Sequence, residues 1–203
     1  MKNKNLIISF ISLMMALQLG FLIYLIKSNE IILKDGKIFK FKTAPVDPFN
    51  AFKGRYVALN FDAGNFTLDK LPDSMSCEYN RRPKIIYALI GNKDGFAYVK
   101  NISIKKPNDS EDYLTIRQFY CDEEYKYDDN LKISIETGSY KINLTFPFSA
   151  YYLEETHAPK AEKLYNDNNK NSNNTYALIK INKGNALIQD LYINNKPIKE
   201  YFN

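Results

Sequence analysis

The chain holds a single histidine, His157, so any mechanism that needs an imidazole as base, proton shuttle or metal ligand has to use it. It follows Glu154, Glu155 and Thr156, and carboxylates beside an imidazole are the residue types of acid-base work and metal ligation. The same run suits the first turn of a helix, where acids are favoured by the backbone dipole whatever the function, and that reading outweighs the catalytic one. A second site-like acid is Asp47, bracketed by Pro45 and Pro48. Asp47, Glu155 and His157 are therefore the candidates for a carboxylate/histidine hydrolase, a reading that requires the three to converge in one pocket. The chain has no His-Glu-x-x-His, no glycine-rich phosphate loop and no Cys-x-x-Cys, so neither a metal nor another cofactor is expected.

Two cysteines, Cys77 and Cys121, complete the reactive inventory. Outside the cytoplasm they can form a disulfide, whereas inside they would remain thiols, and spacing alone does not choose. Acids also gather at Asp122, Glu123, Glu124, Asp128 and Asp129, which reads as a solvated loop rather than a cation site. Residues 166–174, NDNNKNSNN, resemble the start of a calcium loop through Asp167, Asn169 and Asn171. Ser172 stands where that loop needs glycine and Leu178 where it needs a bidentate Glu, so the segment reads as a polar loop with no apolar group to bury.

Whatever these residues do, they are positioned by a chain of two unlike parts. Residues 6–26, LIISFISLMMALQLGFLIYLI, carry no charge and as a helix reach across a hydrocarbon core of about 30 Å. The run is longer than the apolar region of a cleaved signal and lacks small residues at a cleavage spacing, so it reads as a retained anchor. Lys2 and Lys4 precede it and place residues 1–5 in the cytoplasm, with residues 27–203 exported. Removing those two lysines from 28 basic residues leaves 26 against 23 acidic ones, so the net +5 becomes +3. A surplus that small and dispersed is no nucleic-acid footprint.

Beyond the anchor, period-two alternation predicts a mainly β domain, a small antiparallel barrel or sandwich with one short helix. Hairpins are expected around Asp35-Gly36, between Ile31–Leu33 and Phe39–Phe41, and around Thr137-Gly138, between Leu131–Ile135 and Tyr140–Phe146. Residues 84–90, apolar on both faces, predict a central strand. A final hairpin runs over Tyr176–Ile193, and Pro159–Asn166 has helical spacing. The sixteen Tyr and thirteen Phe suit a packed core better than a ligand cavity.

Residues 45–61, PVDPFNAFKGRYVALNF, resemble the GDYXXLXY family, named for a Gly-Asp-Tyr-x-x-Leu-x-Tyr motif that follows a Pro-Val-Asp-Pro segment. Pro45, Asp47 and Pro48 match that segment, and Gly54, Tyr56 and Leu59 match the motif. Its Asp is Arg55 here and its last Tyr is Phe61. The late segment Tyr151, Tyr152, Leu153, Glu154, Glu155 resembles a second family stretch, and LYINNKP resembles the family's ending. The resemblance covers the whole length and implies an N-terminal anchor, no established activity, and a multipass membrane protein as partner, since members are commonly encoded beside one. Arg55 reverses the charge of the motif's acid, so a role for a carboxylate there does not carry over. Val57, Leu59 and Phe61 alternate with Tyr56, as in a strand with one core face.

The sequence thus points to a single-pass membrane-anchored protein that serves, without catalysis, beside an integral membrane protein. The other readings are the hydrolase above and a hollow barrel that holds a small ligand.

Overall fold

A computed structural model describes residues 2–44, 56–73, 75–78, 82–128, 133–154, 156–171 and 174–202. The apolar run is part of α1, an unbroken helix over Lys2–Asp35. Its side chains from Leu6 to Ile26 are exposed, and the helix is long and apolar enough to cross a membrane. The strand expected at Ile31–Leu33 is instead the end of α1, and Gly36 has no positive φ. A helix already nucleated in the apolar run adds residues at little cost, so three apolar residues are carried along with it. Of these only Ile32 is buried, while Ile31 and Leu33 are exposed. Gly36 N–H closes the helix on the Ile32 carbonyl at 2.9 Å, and Lys180 Nζ donates to the Leu33 carbonyl. A Cβ on Gly36 would collide with the Ile32 carbonyl oxygen.

Strand is the commonest structure, at 46%, as the alternation predicts. The strands are β1 (Lys37–Ala44), β2 (Tyr56–Ala58), β3 (Asn60–Phe61), β4 (Asn65–Leu68), β5 (Ile86–Lys93), β6 (Phe96–Ser103), β7 (Tyr113–Ile116), β8 (Gln118–Asp128), β9 (Ile133–Thr145), β10 (Ala150–Tyr152), β11 (Thr175–Asn182), β12 (Asn185–Ile193) and β13 (Lys196–Pro197). They form antiparallel sheets in the orders β13-β12-β11-β1-β3, β4-β9-β8, β6-β5-β7 and β10-β2. The apolar run 84–90 supplies most of β5, which lies between two neighbours as expected. The final hairpin is β11 and β12, and its tip docks on β7 where Thr115 N–H donates to the Gly184 carbonyl at 2.9 Å. Gly184 has φ +83°, and a Cβ there would strike Thr115 and Tyr113.

The hairpin expected at Thr137-Gly138 is not a turn, because β9 runs straight through both residues. The pairing of β8 and β9 shifts register between Glu123 and Tyr125. Thr137 Oγ1 donates to the Glu124 carbonyl at 2.8 Å and Ser139 Oγ to the Glu124 carboxylate at 2.9 Å. Glycine at φ +76° thus marks an irregularity inside a strand pair rather than its end. The acidic run expected as a loop is largely in β8, with Asp122, Glu123 and Glu124 exposed.

The sheets close on one core. At its centre the rings of Phe41, Phe61, Phe146 and Phe148 contact one another with centroids 5.2 to 6.0 Å apart. Such ring pairs add about 0.5–1.5 kcal/mol each beyond the area they bury. Among the described residues these four rings occupy the centre of the core. A Tyr hydroxyl at position 61 would have to find a partner in this apolar centre, which accounts for phenylalanine there. Cys77 and Cys121 are bridged, with Cα atoms 5.2 Å apart. Arg82 donates to both cysteine carbonyls, at 2.6 Å to Cys77 and 3.0 Å to Cys121.

The second helix, α2 (Ala158–Asn171), is longer than its apolar spacing predicts, and takes up much of the segment expected as a polar loop. The reason is a buried hydrogen-bond chain. Asn169, only 2% exposed, accepts from Thr175 Oγ1 at 2.7 Å and donates to the Tyr165 hydroxyl at 3.0 Å. Tyr165 donates to the Ala44 carbonyl at 3.3 Å, and Thr43 Oγ1 to the Thr175 carbonyl at 3.0 Å. Every member is satisfied, so the chain fastens α2 across β1 and β11. Burial pushes the Tyr165 hydroxyl up to about 12.

Candidate functional site

The two stretches singled out by their resemblance to one family lie side by side. Strand β2 pairs with β10 so that Tyr56 is opposite Tyr152 and Val57 opposite Tyr151. Leu59 N–H extends the pairing to the Ser149 carbonyl at 2.9 Å. Alternation then sorts the side chains. Val57, Leu59 and Phe61 are buried and Tyr56 is half-buried, its ring 5.7 Å from that of Tyr152. Tyr151 points inward and Tyr152 is exposed.

Inward, Tyr151 meets an acid that pattern reading passed over. Its hydroxyl donates to Asp190 Oδ1 at 2.6 Å, and the same oxygen accepts from Leu191 N–H at 2.9 Å. Lys199 Nζ stands 3.9 Å from Asp190 and over the Tyr151 ring at 5.9 Å. Lys199 lies in the C-terminal 3-10 turn Ile198–Tyr201. Burial first, and then the bond to Asp190, push the Tyr151 hydroxyl well above the usual phenol range. It is therefore a fixed donor, unsuited to act as a base or nucleophile near neutral pH. The hint in the sequence was a lone acid in LIQDLYI, an apolar strand where a charge has to be paired.

These residues flank a groove of about 500 Å³. One wall is Pro147 to Tyr152, the other is Ala186 to Gln189 of β12, and Lys199 is also in its lining. Its volume falls in the range of small-ligand sites. Along this stretch β12 pairs only with β11, because β13 joins it only at Tyr192 and Ile193. The groove thus has one side of a strand open for backbone pairing among the described residues.

The hydrolase candidates fare differently. Asp47, Glu155, Pro45, Pro48 and Gly54 lie outside the described residues. His157, just before α2, stacks its ring on Phe202 with centroids 5.3 Å apart and planes 15° apart. Its Nδ1 is 3.8 Å from Glu154 Oε2, beyond hydrogen-bond reach. Among the described residues, no group of three or more His, Cys, Asp or Glu is placed to hold a metal ion.

A family model described as GDYXXLXY protein matches residues 18–191. Neither a curated protein nor a solved structure matches the chain. The matched interval takes in the later part of α1, the paired strands β2 and β10, the disulfide and Asp190. The chain belongs to the GDYXXLXY family.

Proposed function

We propose that this protein is a single-pass, membrane-anchored, non-enzymatic accessory of an integral membrane protein, with its N-terminus in the cytoplasm and its β domain outside. The observation that carries this reading is the junction between helix and domain. About 31 Å of apolar helix is followed by nine further helical residues, rising about 13 Å, before β1 begins. The last turn is tied to β11 through Lys180 and buries Ile32. A domain held at a set height on one helix suits contact with a neighbouring membrane protein better than capture of diffusing substrate. Lys2 and Lys4 support the orientation, and the Cys77–Cys121 bridge fits an oxidising compartment. The protonated Tyr151 and the stacked His157 are better suited to holding structure than to chemistry.

The test is affinity capture of the full chain from detergent-solubilised membranes. A multipass protein should be recovered with the wild type and lost when residues of the groove wall, such as Leu187 and Gln189, are replaced by Asp. Repeated recovery of no membrane protein would overturn the reading. A phosphatase active only outside the cytoplasm, fused after residue 203, should be active; an expressed but silent fusion would refute the orientation.

A further inference from the structure

A second cleft, of about 390 Å³, opens at the foot of the domain beside α1. Asn29 and Ile32 of α1 form one side, with Arg117 and Gln118 at the β7–β8 junction and Asn185 and Leu187 of β12 around them. Arg117 is the sole charged residue in the lining among the described residues. It is exposed and makes no ion pair with a described residue. Lys183 of the hairpin tip is already engaged by Asp109 at 3.3 Å. The cleft thus offers one uncommitted guanidinium, amide groups for hydrogen bonds, and apolar side chains from Ile32 and Leu187.

Its height above the membrane follows from α1. At about 1.5 Å per residue, Asn29 lies about 4.5 Å and Ile32 about 9 Å beyond Ile26, the last residue of the apolar run. The headgroup layer of each leaflet is about 5–8 Å deep, the difference between a hydrocarbon core of about 30 Å and a whole bilayer of about 40–45 Å. The cleft therefore begins at Asn29 within the reach of lipid headgroups and rises at Ile32 to the outer edge of their layer. A guanidinium is the side chain best shaped to bind a phosphate through two N–H groups.

We propose that this cleft binds the headgroup of an anionic phospholipid, with Arg117 on the phosphate and the amides of Asn29, Gln118 and Asn185 around it. The inference rests on α1 spanning the membrane. The experiment uses the full chain purified in detergent, with lipid retention read by native mass spectrometry. Phosphatidylglycerol should be retained at least about tenfold better than diacylglycerol, which lacks the phosphate, the scale of a charge-assisted hydrogen bond. Arg117→Gln should bring the two lipids level, Arg117→Lys should restore part of the difference, and Gln118→Glu should weaken phosphatidylglycerol by repulsion. Equal retention of both lipids by the wild type, or an Arg117→Gln protein that still prefers phosphatidylglycerol, would overturn the site. Complete displacement by millimolar inorganic phosphate would overturn the lipid in favour of a free anion. Release of the chain from membranes by alkaline carbonate would remove the height argument and overturn the proposal at its premise, a result distinct from failure of the site.

Discussion

Replacing Asn169 by alanine tests whether the buried polar chain, rather than apolar packing alone, fastens α2 to the sheet. Asn169 is 2% exposed, and its two shorter bonds run to Thr175 at 2.7 Å and Tyr165 at 3.0 Å. Losing two buried hydrogen bonds costs about 1 kcal/mol each, giving about 2 kcal/mol, since the Thr175 hydroxyl still has Thr43 Oγ1 as an acceptor at 2.5 Å. For a domain of this size each kcal/mol lowers the melting temperature by roughly 2–4 °C, so Asn169→Ala should melt about 4–8 °C lower. The assay is heating of the full chain in detergent micelles, followed by near-ultraviolet circular dichroism of the tyrosines. The control is the pair Asn169→Leu with Thr175→Val, which removes both ends of one bond. It should be less damaging than the sum of its single variants by about 1 kcal/mol or more. A melting temperature within about 2 °C of wild type for Asn169→Ala would refute the reasoning, because a surface amide behaves that way.

Two further outcomes follow from groups elsewhere in the domain. Cys77 and Cys121 are 44 positions apart, so replacing both by serine should cost about 4 kcal/mol by the chain-entropy model. The wild type should change gel mobility on reduction, and equal mobility with two alkylatable thiols would remove the bridge. Tyr165 titrates at about 12 in the fold against 10.0 when unperturbed, burial being the main cause. A raised folded value means its contribution is whole below pH 10 and is lost as pH rises towards 12. The gap in melting temperature between wild type and Tyr165→Phe should therefore narrow over that window, and a gap that widens would contradict the sign.

How much of this was legible in the sequence depended on whether the signal was local. The alternation in β11 and β12, the apolar β5 and the core face of Val57, Leu59 and Phe61 could all be read because period and burial agree there. Ile31–Leu33 was misread because the helix holding it is nucleated upstream in the apolar run. Gly138 was misread because a glycine at positive φ serves a strand irregularity as well as a turn. The polar stretch after Asn166 hid a buried residue, since Asn169 is inside only because Thr175 just beyond it and Thr43, far away in the chain, offer it partners. The site divides the same way. Tyr151 was marked by resemblance to the family, whereas Asp190 and Lys199 join it only through the fold.

The uninterrupted passage from α1 into β1 also fixes an angle. Because Ile32 is buried, Lys180 holds the helix end and Gly36 alone separates helix from strand, the domain is keyed to the shaft that carries it. Each helical residue turns the chain by about 100° and lifts it by about 1.5 Å. The face of the domain that bears the groove is thereby set in register with one particular stripe of the membrane helix. A partner of the proposed kind, packed against that stripe, would find the groove at a fixed bearing above it, and length and phase in residues 27–35 would set that bearing.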